Sequence, residues 1–359
     1  MRRFIIMFAL ASFVITGLFC CANQKDVLNK RWPGEKAMSW YKEIGWQCGC
    51  NFTPSTAINQ LEMWQASTYD SATIDKELGW AHDLGFNIVR VYLHYLVWQE
   101  NPDKFKKRIE HFLDICEKHD INVMFVLFDD CWYGNPQLGD QPDPVPGLHN
   151  SGWVQCPRYA EVMNPAKYPI FENYTKDIIT HFSNDERVVV WDLYNEPANN
   201  HQPKQIFPLV KKVFKWAREV DPSQPLTMGV WNFGKEKYLK LNKFYLNNSD
   251  IITFHNYGSY EAMKKDIANF KSYGRPVICT EYIARSYGSK FQTHLPLMKE
   301  RNVGAINWGL VSGKTQTIYP WGHALNDTTI EVWHHDILKK NGEPYDREEV
   351  EVIKKMTKE

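Results

Sequence analysis

The chain of 359 residues lacks a surplus of charge of either sign, because Lys and Arg together number 42 and Asp and Glu together also number 42. Without a basic excess nothing indicates nucleic-acid binding, and without an acidic tract nothing indicates a disordered activating segment. No repeat of fixed period and no low-complexity tract is present. Hydrophobic residues make up 43% of the chain and aromatic residues 14%, which favours a large folded core over disorder.

Long apolar runs are also missing, apart from one at the N-terminus. Arg2 and Arg3 precede an apolar run over residues 4–19, which is too short to span a membrane comfortably. The charged-then-apolar order predicts a signal peptide over residues 1–20. The run ends at Cys20-Cys21 and resembles a bacterial lipoprotein signal, although Phe19 and Cys20 stand where small residues are usual.

This N-terminal pattern predicts an exported protein. We favour lipidation of Cys21 over simple secretion, which would make the protein a lipoprotein of the cell envelope, in the periplasm or on the outer surface. A membrane contact is then expected only through the lipid on Cys21. Residues 21–40 are predicted to be a polar tether, and residues 41–359 a single folded domain that is a monomer.

Cysteine and histidine clusters give little support for a metal site. Cys48-x-Cys50 has the wrong spacing for a zinc knuckle. The adjacent pair His334-His335 points in different directions in most backbones and has no further ligands at motif spacing. We therefore expect no metal and no cofactor. Cys131 and Cys156 flank a long loop, and a disulfide between them remains open in an exported protein, because sequence does not show whether their Cα atoms approach.

Strands and helices alternate through the rest of the chain. Eight apolar segments are predicted to be strands, at residues 44–52, 86–92, 121–128, 188–193, 226–231, 251–254, 276–280 and 303–307. Amphipathic helical patterns lie between nearly all of them. Eight such units predict an α/β fold of the (β/α)8 TIM barrel type. An open doubly wound sheet is the alternative, but it usually carries a glycine-rich turn after the first strand, and residues 49–52 form no such turn.

Polar and aromatic residues stand at the carboxyl ends of these strands, where barrel enzymes place their reactive groups. Two of them are glutamates, Glu196 after the fourth strand and Glu281 after the seventh. A pair of carboxylates is what hydrolysis of a glycosidic bond requires. The other candidates are Arg90, Asp129, Trp132, Asn195, Trp231, His255, Tyr257 and Trp308.

These residues carry a resemblance to a known clan. The string WDLYNEP at 191–197, followed by TEY at 280–282 with His255-x-Tyr257 between them, resembles the retaining (β/α)8 glycoside hydrolases. The match is most similar to the family-five cellulase, mannanase and xylanase type. The resemblance implies that Glu281 is the nucleophile and Glu196 the acid/base, in a double displacement on a β-linked poly- or oligosaccharide of glucan, mannan or xylan type.

The resemblance also implies binding roles. Arg90 matches the arginine that supports the nucleophile, and Asn195 the asparagine that contacts the sugar 2-hydroxyl. His255 and Tyr257 match the pair after the sixth strand, and Trp308 matches the platform beneath the reacting sugar. For His255 and Trp308, packing inside the core is the alternative.

One departure from the family concerns the end of the third strand. Family-five enzymes commonly have a histidine there, and this chain has Asp129-Asp130. This acidic pair is expected either to bind sugar hydroxyls directly or to indicate a different subfamily. Asp129, Trp132 and Trp231 are included among the expected sugar-binding residues. The loop over residues 129–162 is expected to form one wall of the cleft. A wall that closes one end would favour release from chain ends, and an open groove would favour internal cleavage.

The mechanism makes physical predictions of its own. Arg90 should lower the pKa of Glu281, and the charge on Glu281 should keep Glu196 protonated. The two carboxyl groups should lie roughly 5 to 5.5 Å apart, as in retaining enzymes. A non-catalytic surface glycan-binding protein is the alternative. A metal-dependent barrel hydrolase is a further one, although the His-x-His expected after its first strand is absent.

Overall fold

The computed structural model describes residues 30–358 and contains eight parallel strands around a central core. The strands lie in the order β5-β4-β3-β2-β1-β8-β7-β6. They are β1 Cys48–Asn51, β2 Ile88–Tyr92, β3 Asn122–Val126, β4 Val188–Asp192, β5 Leu226–Thr227, β6 Ile252–His255, β7 Val277–Glu281 and β8 Gly304–Trp308. An isolated parallel bridge between Val230 and Phe254 joins the segment just after β5 to β6, so the predicted (β/α)8 barrel is confirmed.

Helices follow the strands and cover the outside of the barrel, apart from α1, which precedes β1. They are α1 Gly34–Ile44, α2 Gln60–Trp64, α3 Ser71–Asp83, α4 Tyr95–Glu100, α5 Pro102–Lys118, α6 Tyr159–Val162, α7 Tyr168–His181, α8 Pro203–Val220, α9 Leu239–Asn248, α10 Tyr260–Lys271, α11 Phe291–Glu300 and α12 Arg347–Lys358. Helix α5 shows why they form. Asn101 accepts a hydrogen bond from the Lys104 amide and Pro102 opens the first turn, as the cap-then-proline pattern predicts. Its apolar face then packs inward.

The first five strands are shorter than the apolar segments that predicted them, whereas β6, β7 and β8 have the predicted length and end one residue later. The fifth is the clearest case, since only Leu226–Thr227 pair in the regular sheet, whereas the apolar segment runs to Trp231. Nearly every strand position is buried, because helices cover one side and the barrel interior fills the other. Apolar runs therefore mark burial, and at β1, β3, β4 and β5 they extend past the last strand residue into the loops.

The predicted tether is corrected in part by the structure. Helix α1 begins at Gly34, well before residue 40. Trp32 is buried, its amide donates to Asp250 Oδ1 at 2.8 Å, and its carbonyl accepts from Arg275 at 2.8 Å. Trp32 and two residues of α1 pack in one cluster with residues from the first three positions of five strands. This segment closes the bottom of the barrel, and the apolar Trp32 was the sequence signal for it.

The remaining N-terminal predictions concern residues outside the described part of the chain. These are the signal peptide over residues 1–20, the lipid on Cys21 and the tether over residues 21–29. Within residues 30–358 no helix has the length and apolar character needed to cross a bilayer. The disulfide left open above is not formed, because Cys131 and Cys156 are both free thiols.

Candidate active site

Glu281 ends β7 and points into the mouth of the barrel. Its carboxylate is buried and accepts hydrogen bonds on both oxygens. Arg90 Nη1 and the Tyr92 hydroxyl each donate to Oε1 at 3.0 Å. The Tyr257 hydroxyl donates to Oε2 at 2.7 Å, and His255 Nδ1 lies 3.4 Å from the same oxygen. Such a set of donors fixes the carboxylate and favours its ionised form.

Arg90 is fully buried in β2 and uses its guanidinium to organise the mouth. It pairs with Asp192 at 2.7 Å and with Glu281 at 3.0 Å. The same group donates to the side-chain oxygens of Asn51 at 2.8 Å and Asn195 at 2.7 Å. A planar fork of donors suits this role. Arg90 therefore orients both the carboxylate of Glu281 and the amide of Asn195.

Glu196 follows β4 on the other side of the mouth. Its backbone is left-handed, with φ at 41°, a conformation that costs free energy for a non-glycine residue. Asn199 donates to its Oε2 at 2.6 Å, and the Cys131 thiol donates to the same oxygen at 3.4 Å. His255 Nδ1 lies 2.7 Å from Oε1. Its partners are thus neutral amide, thiol and imidazole groups.

The two glutamates face each other across a short gap bridged by His255. One carboxylate oxygen of Glu196, one of Glu281 and a ring nitrogen of His255 all lie within 4.8 Å of one another. This spacing agrees with the roughly 5 to 5.5 Å of retaining glycosidases and is shorter than the 6.5 to 9.5 Å of inverting ones. The same three side chains also have the spacing of a divalent-metal site, so the effect of a chelator is a useful control.

Burial changes the titration of this pair. Burial raises the pKa of Glu196 above its usual value, and the hydrogen bonds from Asn199 and Cys131 offset part of that rise. Burial also raises the pKa of Glu281, and the charge of Glu196 raises it further, against the lowering effects of Arg90 and the Tyr257 hydrogen bond. The predicted Arg90 contact is therefore present, but it moderates the rise in the pKa of Glu281 and does not reverse it.

His255 is a neutral bridge between the two carboxyl groups. Burial lowers its pKa to about 4, in spite of the nearby charge of Glu281. Its Nδ1 contacts both glutamates, while its Nε2 is buried without a hydrogen-bond partner among the described residues. A neutral imidazole of this kind fixes the two acids relative to each other without adding a charge between them.

The cavity above this pair has a volume of about 220 Å³. Tryptophans form much of its wall. The lining residues are Cys131, Trp132, His149, Asn150, Trp153, Asn195, Glu196, Asn199, Trp231, Tyr257, Glu281, Trp308 and Trp321. Aromatic walls with a few polar groups suit sugar rings, whose apolar faces pack on indole.

Seven of the ten predicted site residues line this cavity, while Arg90 and His255 lie behind the lining and contact the two glutamates. Asp129 does not line the cavity either. Its carboxylate is 1% exposed and accepts hydrogen bonds from Asn195 at 2.9 Å and Trp153 at 2.7 Å. Burial raises the pKa of Asp129 to about 8. The structure thus places Asp129 behind the cavity wall, where it orients Asn195 and Trp153, and it corrects the expected direct sugar contact. Trp132 and Trp231 do line the cavity.

Sequence reasoning missed several residues of the site. Tyr92 was placed at the strand end but not among the binding residues, although its hydroxyl touches Glu281. Asn199 lies three residues beyond Glu196, on the turn after β4, and that position was its one sequence signal. Cys131 and Trp321 lie in long loops, where no periodic pattern indicates which side chains turn inward.

Comparison with known proteins agrees with this geometry. The sequence model described as Cellulase (glycosyl hydrolase family 5) matches residues 50–313. The chain belongs to glycosyl hydrolase family 5. The match covers all eight strands apart from the first two residues of β1. A family 5 chain is a glycosyl hydrolase, in accord with the paired carboxylates at the barrel mouth.

Among curated proteins, the family 5 chain is similar to β-glucuronidases. That of Pongo abelii is 26% identical over 195 residues, which are 53% of this chain and 26% of that protein. The β-glucuronidase of Felis catus is 28% identical over 165 residues, 44% of this chain and 23% of that protein. This chain therefore spans about a quarter of the length of these relatives.

Solved structures of similar fold include proteins named for mannose-containing substrates. A variant of GH5_18 from Bifidobacterium longum, in complex with Manb1-4GlcNAc, superposes with a TM-score of 0.60 at 12% identity, covering 88% of this chain and 78% of that chain. The endo-beta-1,4-mannanase of Thermotoga petrophila gives a TM-score of 0.58 at 13% identity, with coverage of 89% and 77%. At these identities the likeness shows the fold alone.

Proposed function

We propose that this family 5 protein cleaves β-linked glycans with retention of anomeric configuration, using Glu281 as nucleophile and Glu196 as acid/base. Glu281 attacks the anomeric carbon, and the bond to the leaving oxygen breaks as Glu196 gives that oxygen its proton. Glu196 then takes a proton from water, whose oxygen attacks the anomeric carbon and releases Glu281. The observation that carries the proposal is the short gap between these two carboxyl groups, whose hydrogen-bond donors differ.

The contacts of the two glutamates support this division of roles. Arg90, Tyr92 and Tyr257 all donate to Glu281, and the first of these donors is a cation. Among the described residues, no lysine or arginine is in hydrogen-bonding contact with Glu196. The His255 ring does contact it, but that ring is neutral near pH 7. When two coupled carboxyls share a site, the first proton is lost from the better-stabilised one. Glu281 therefore ionises first and Glu196 keeps its proton.

The lining of the cavity supports an uncharged sugar. Among the described residues that line the cavity there is no lysine and no arginine. The guanidinium of Arg90 lies nearby, but its N–H groups donate hydrogen bonds to protein side chains. A glucuronide carries a carboxylate, which would have to approach Glu196 and Glu281 without a neutralising cation. We therefore propose a neutral β-linked glycan as the substrate and place glucuronides last. We place β-1,4-linked mannan-type glycans first, with glucan and xylan next, because solved structures of similar fold include β-1,4-mannanases.

Hydrolysis of aryl β-glycosides tests this proposal. Purified protein is offered aryl β-mannoside, β-glucoside, β-xyloside and β-glucuronide, and β-1,4-mannan in parallel. The proposal expects turnover of at least one neutral glycoside and its loss in Glu281→Gln and Glu196→Gln. The matched control is Glu261→Gln, an exposed glutamate in the first turn of α10. Binding of glycans without turnover of any of these substrates would favour the alternative, a non-catalytic surface glycan-binding protein.

We also propose that the enzyme is exported and anchored through a lipid on Cys21, and that it acts as a monomer. The supporting pattern is the charged-then-apolar N-terminus that ends at Cys20-Cys21. Expression of the full chain in a bacterial host, followed by membrane fractionation, tests the anchor. Full-length protein should sediment with membranes, and Cys21→Ser should become soluble. A soluble wild-type protein would contradict the lipid, and a dimer by light scattering would contradict the monomer.

A further inference from the structure

Two long loops at the mouth of the barrel meet across one side of the catalytic cavity. One loop follows β3 over residues 127–158, and the other follows β8 over residues 309–346. Strands β1 and β2 lie between β3 and β8 in the sheet order. Contact between these loops therefore covers the part of the mouth that lies above β1 and β2. We call this contact the bridge, and it joins residues 145–150 to residues 315–327.

Hydrogen bonds and close backbone packing hold the bridge together. The bonds are Asn150 N to Thr315 O at 2.8 Å, Asn326 N to Pro146 O at 2.8 Å, the Gln316 amide to Val145 O at 2.7 Å, and a contact of 2.8 Å between His149 Nδ1 and Tyr319 O. Gly147 has φ at +79°, and a Cβ there would lie 2.5 Å from Asp327 O and 2.7 Å from Ala324 O. The two loops thus approach as closely as a glycine permits.

Trp153 fills the space beneath the bridge. Its ring is 2% exposed and packs edge-on against Tyr92 and Trp308, with centroid distances of 5.1 and 5.6 Å. Its indole nitrogen donates to the buried Asp129 at 2.7 Å. A large ring held by two aromatic contacts and a hydrogen bond to an acid is a fixed wall.

The chemistry sets which end of the substrate faces that wall. Glu196 protonates the leaving oxygen, so the leaving part of the glycan lies on the side of Glu196, where Asn199 and Trp231 line the cavity. The sugar under attack lies against Glu281 and Trp308, and any sugar on its non-reducing side would extend toward the bridge and Trp153.

From this arrangement, and resting on the proposed function, we propose that the bridge and Trp153 exclude a second sugar on the non-reducing side of the cleaved bond. The enzyme then removes single sugars from the non-reducing end of a β-linked neutral glycan. Its cavity accepts one sugar beside the nucleophile and leaves the rest of the chain on the side of Asn199 and Trp231.

The order of products from a labelled oligosaccharide tests the proposal. A linear β-1,4-linked hexasaccharide of the sugar preferred in the aryl glycoside screen, labelled at its reducing end, is sampled early in hydrolysis. The proposal expects the labelled pentasaccharide and free monosaccharide as first products. Labelled di- and trisaccharides as first products would overturn it, and would mean that glycan passes through the outer depression beside Trp132, His149, Asn150 and Trp321.

Failure of the underlying function gives a different result. If the hexasaccharide and all the aryl glycosides stay intact, the hydrolase assignment fails and the end-directed proposal falls with it. If aryl glycosides are cut and the hexasaccharide is cut internally, the hydrolase assignment stands and only the end-directed proposal fails.

A pair of glycine substitutions tests the bridge itself. Gly147→Ala places a Cβ against two backbone oxygens of the facing loop and should loosen the bridge, so that internal products appear. Gly139→Ala is the matched control, because Gly139 also has positive φ but has nothing within 4 Å of its Cβ position. If Gly147→Ala fails to fold, Gln316→Ala replaces it, with the exposed Gln137→Ala as control. Internal products from the wild type and control alike would contradict the role of the bridge.

Discussion

Removal of one hydroxyl tests how the nucleophile is kept ionised. The Tyr257 hydroxyl donates to Glu281 Oε2 at 2.7 Å, and burial raises the pKa of Tyr257 well above its usual value, so it remains a neutral donor. A hydrogen bond to a charged group contributes about 1.5 to 3 kcal/mol, and 1.36 kcal/mol corresponds to about one pKa unit. Tyr257→Phe should therefore raise the pKa of Glu281 by about 1 to 2 units.

The direction of the effect on activity follows from the role of Glu281. The nucleophile reacts only when ionised, so the acid limb of kcat/KM against pH follows the pKa of Glu281 in the free enzyme. A higher pKa moves that limb to higher pH. The loss of activity in Tyr257→Phe should be largest at low pH and should shrink as pH rises through the new pKa, up to the basic limb set by Glu196.

The assay is the pH dependence of kcat/KM on the best aryl β-glycoside. Tyr260→Phe is the matched control, because Tyr260 is exposed and its hydroxyl makes no hydrogen bond among the described residues. Its acid limb should match that of the wild type. An acid limb in Tyr257→Phe that stays in place, or moves to lower pH, would refute the assignment of Tyr257 as a donor to an ionised nucleophile.

Further predictions follow from other contacts. Burial and the neighbouring carboxylates raise the pKa of the Cys131 thiol, so iodoacetamide at pH 7 should leave Cys131 unmodified by peptide mass spectrometry, and rapid labelling would contradict its burial. Trp32→Ala should lower the free energy of unfolding in urea by about 3 to 5 kcal/mol, and a change below about 1 kcal/mol would mean that the barrel base does not depend on it. Dialysis against EDTA should leave kcat/KM unchanged. A loss restored by a divalent cation would assign a metal to Glu196, His255 and Glu281.

The sequence predicted the parts of the molecule that depend on periodic burial. Each apolar segment overlaps a strand to within one residue or contains it, because parallel strands of a barrel are buried on both sides. The position just after a strand then located Glu196 and Glu281, since all eight carboxyl ends meet at one mouth. The barrel and the positions of its two carboxylates could thus be predicted from the sequence alone.

Loop conformations and buried polar contacts could not be predicted from the sequence in the same way. Asp129 was expected at the sugar because it follows β3, but the indole of Trp153 and the amide of Asn195 hold it behind the wall. Trp321 enters the cavity from a loop without periodic pattern. Trp32 was assigned to a tether because its surroundings are polar, although its burial at the barrel base depends on partners more than two hundred residues away.

The stereochemistry of the first product tests the central claim most directly. Proton NMR of an aryl β-glycoside during the first minutes of hydrolysis distinguishes the β anomer from the α anomer before mutarotation mixes them. A gap within 4.8 Å between oxygens of Glu196 and Glu281 predicts that the β hemiacetal appears first, by way of a covalent intermediate. Appearance of the α hemiacetal first would contradict double displacement and would require a water between the two carboxyl groups.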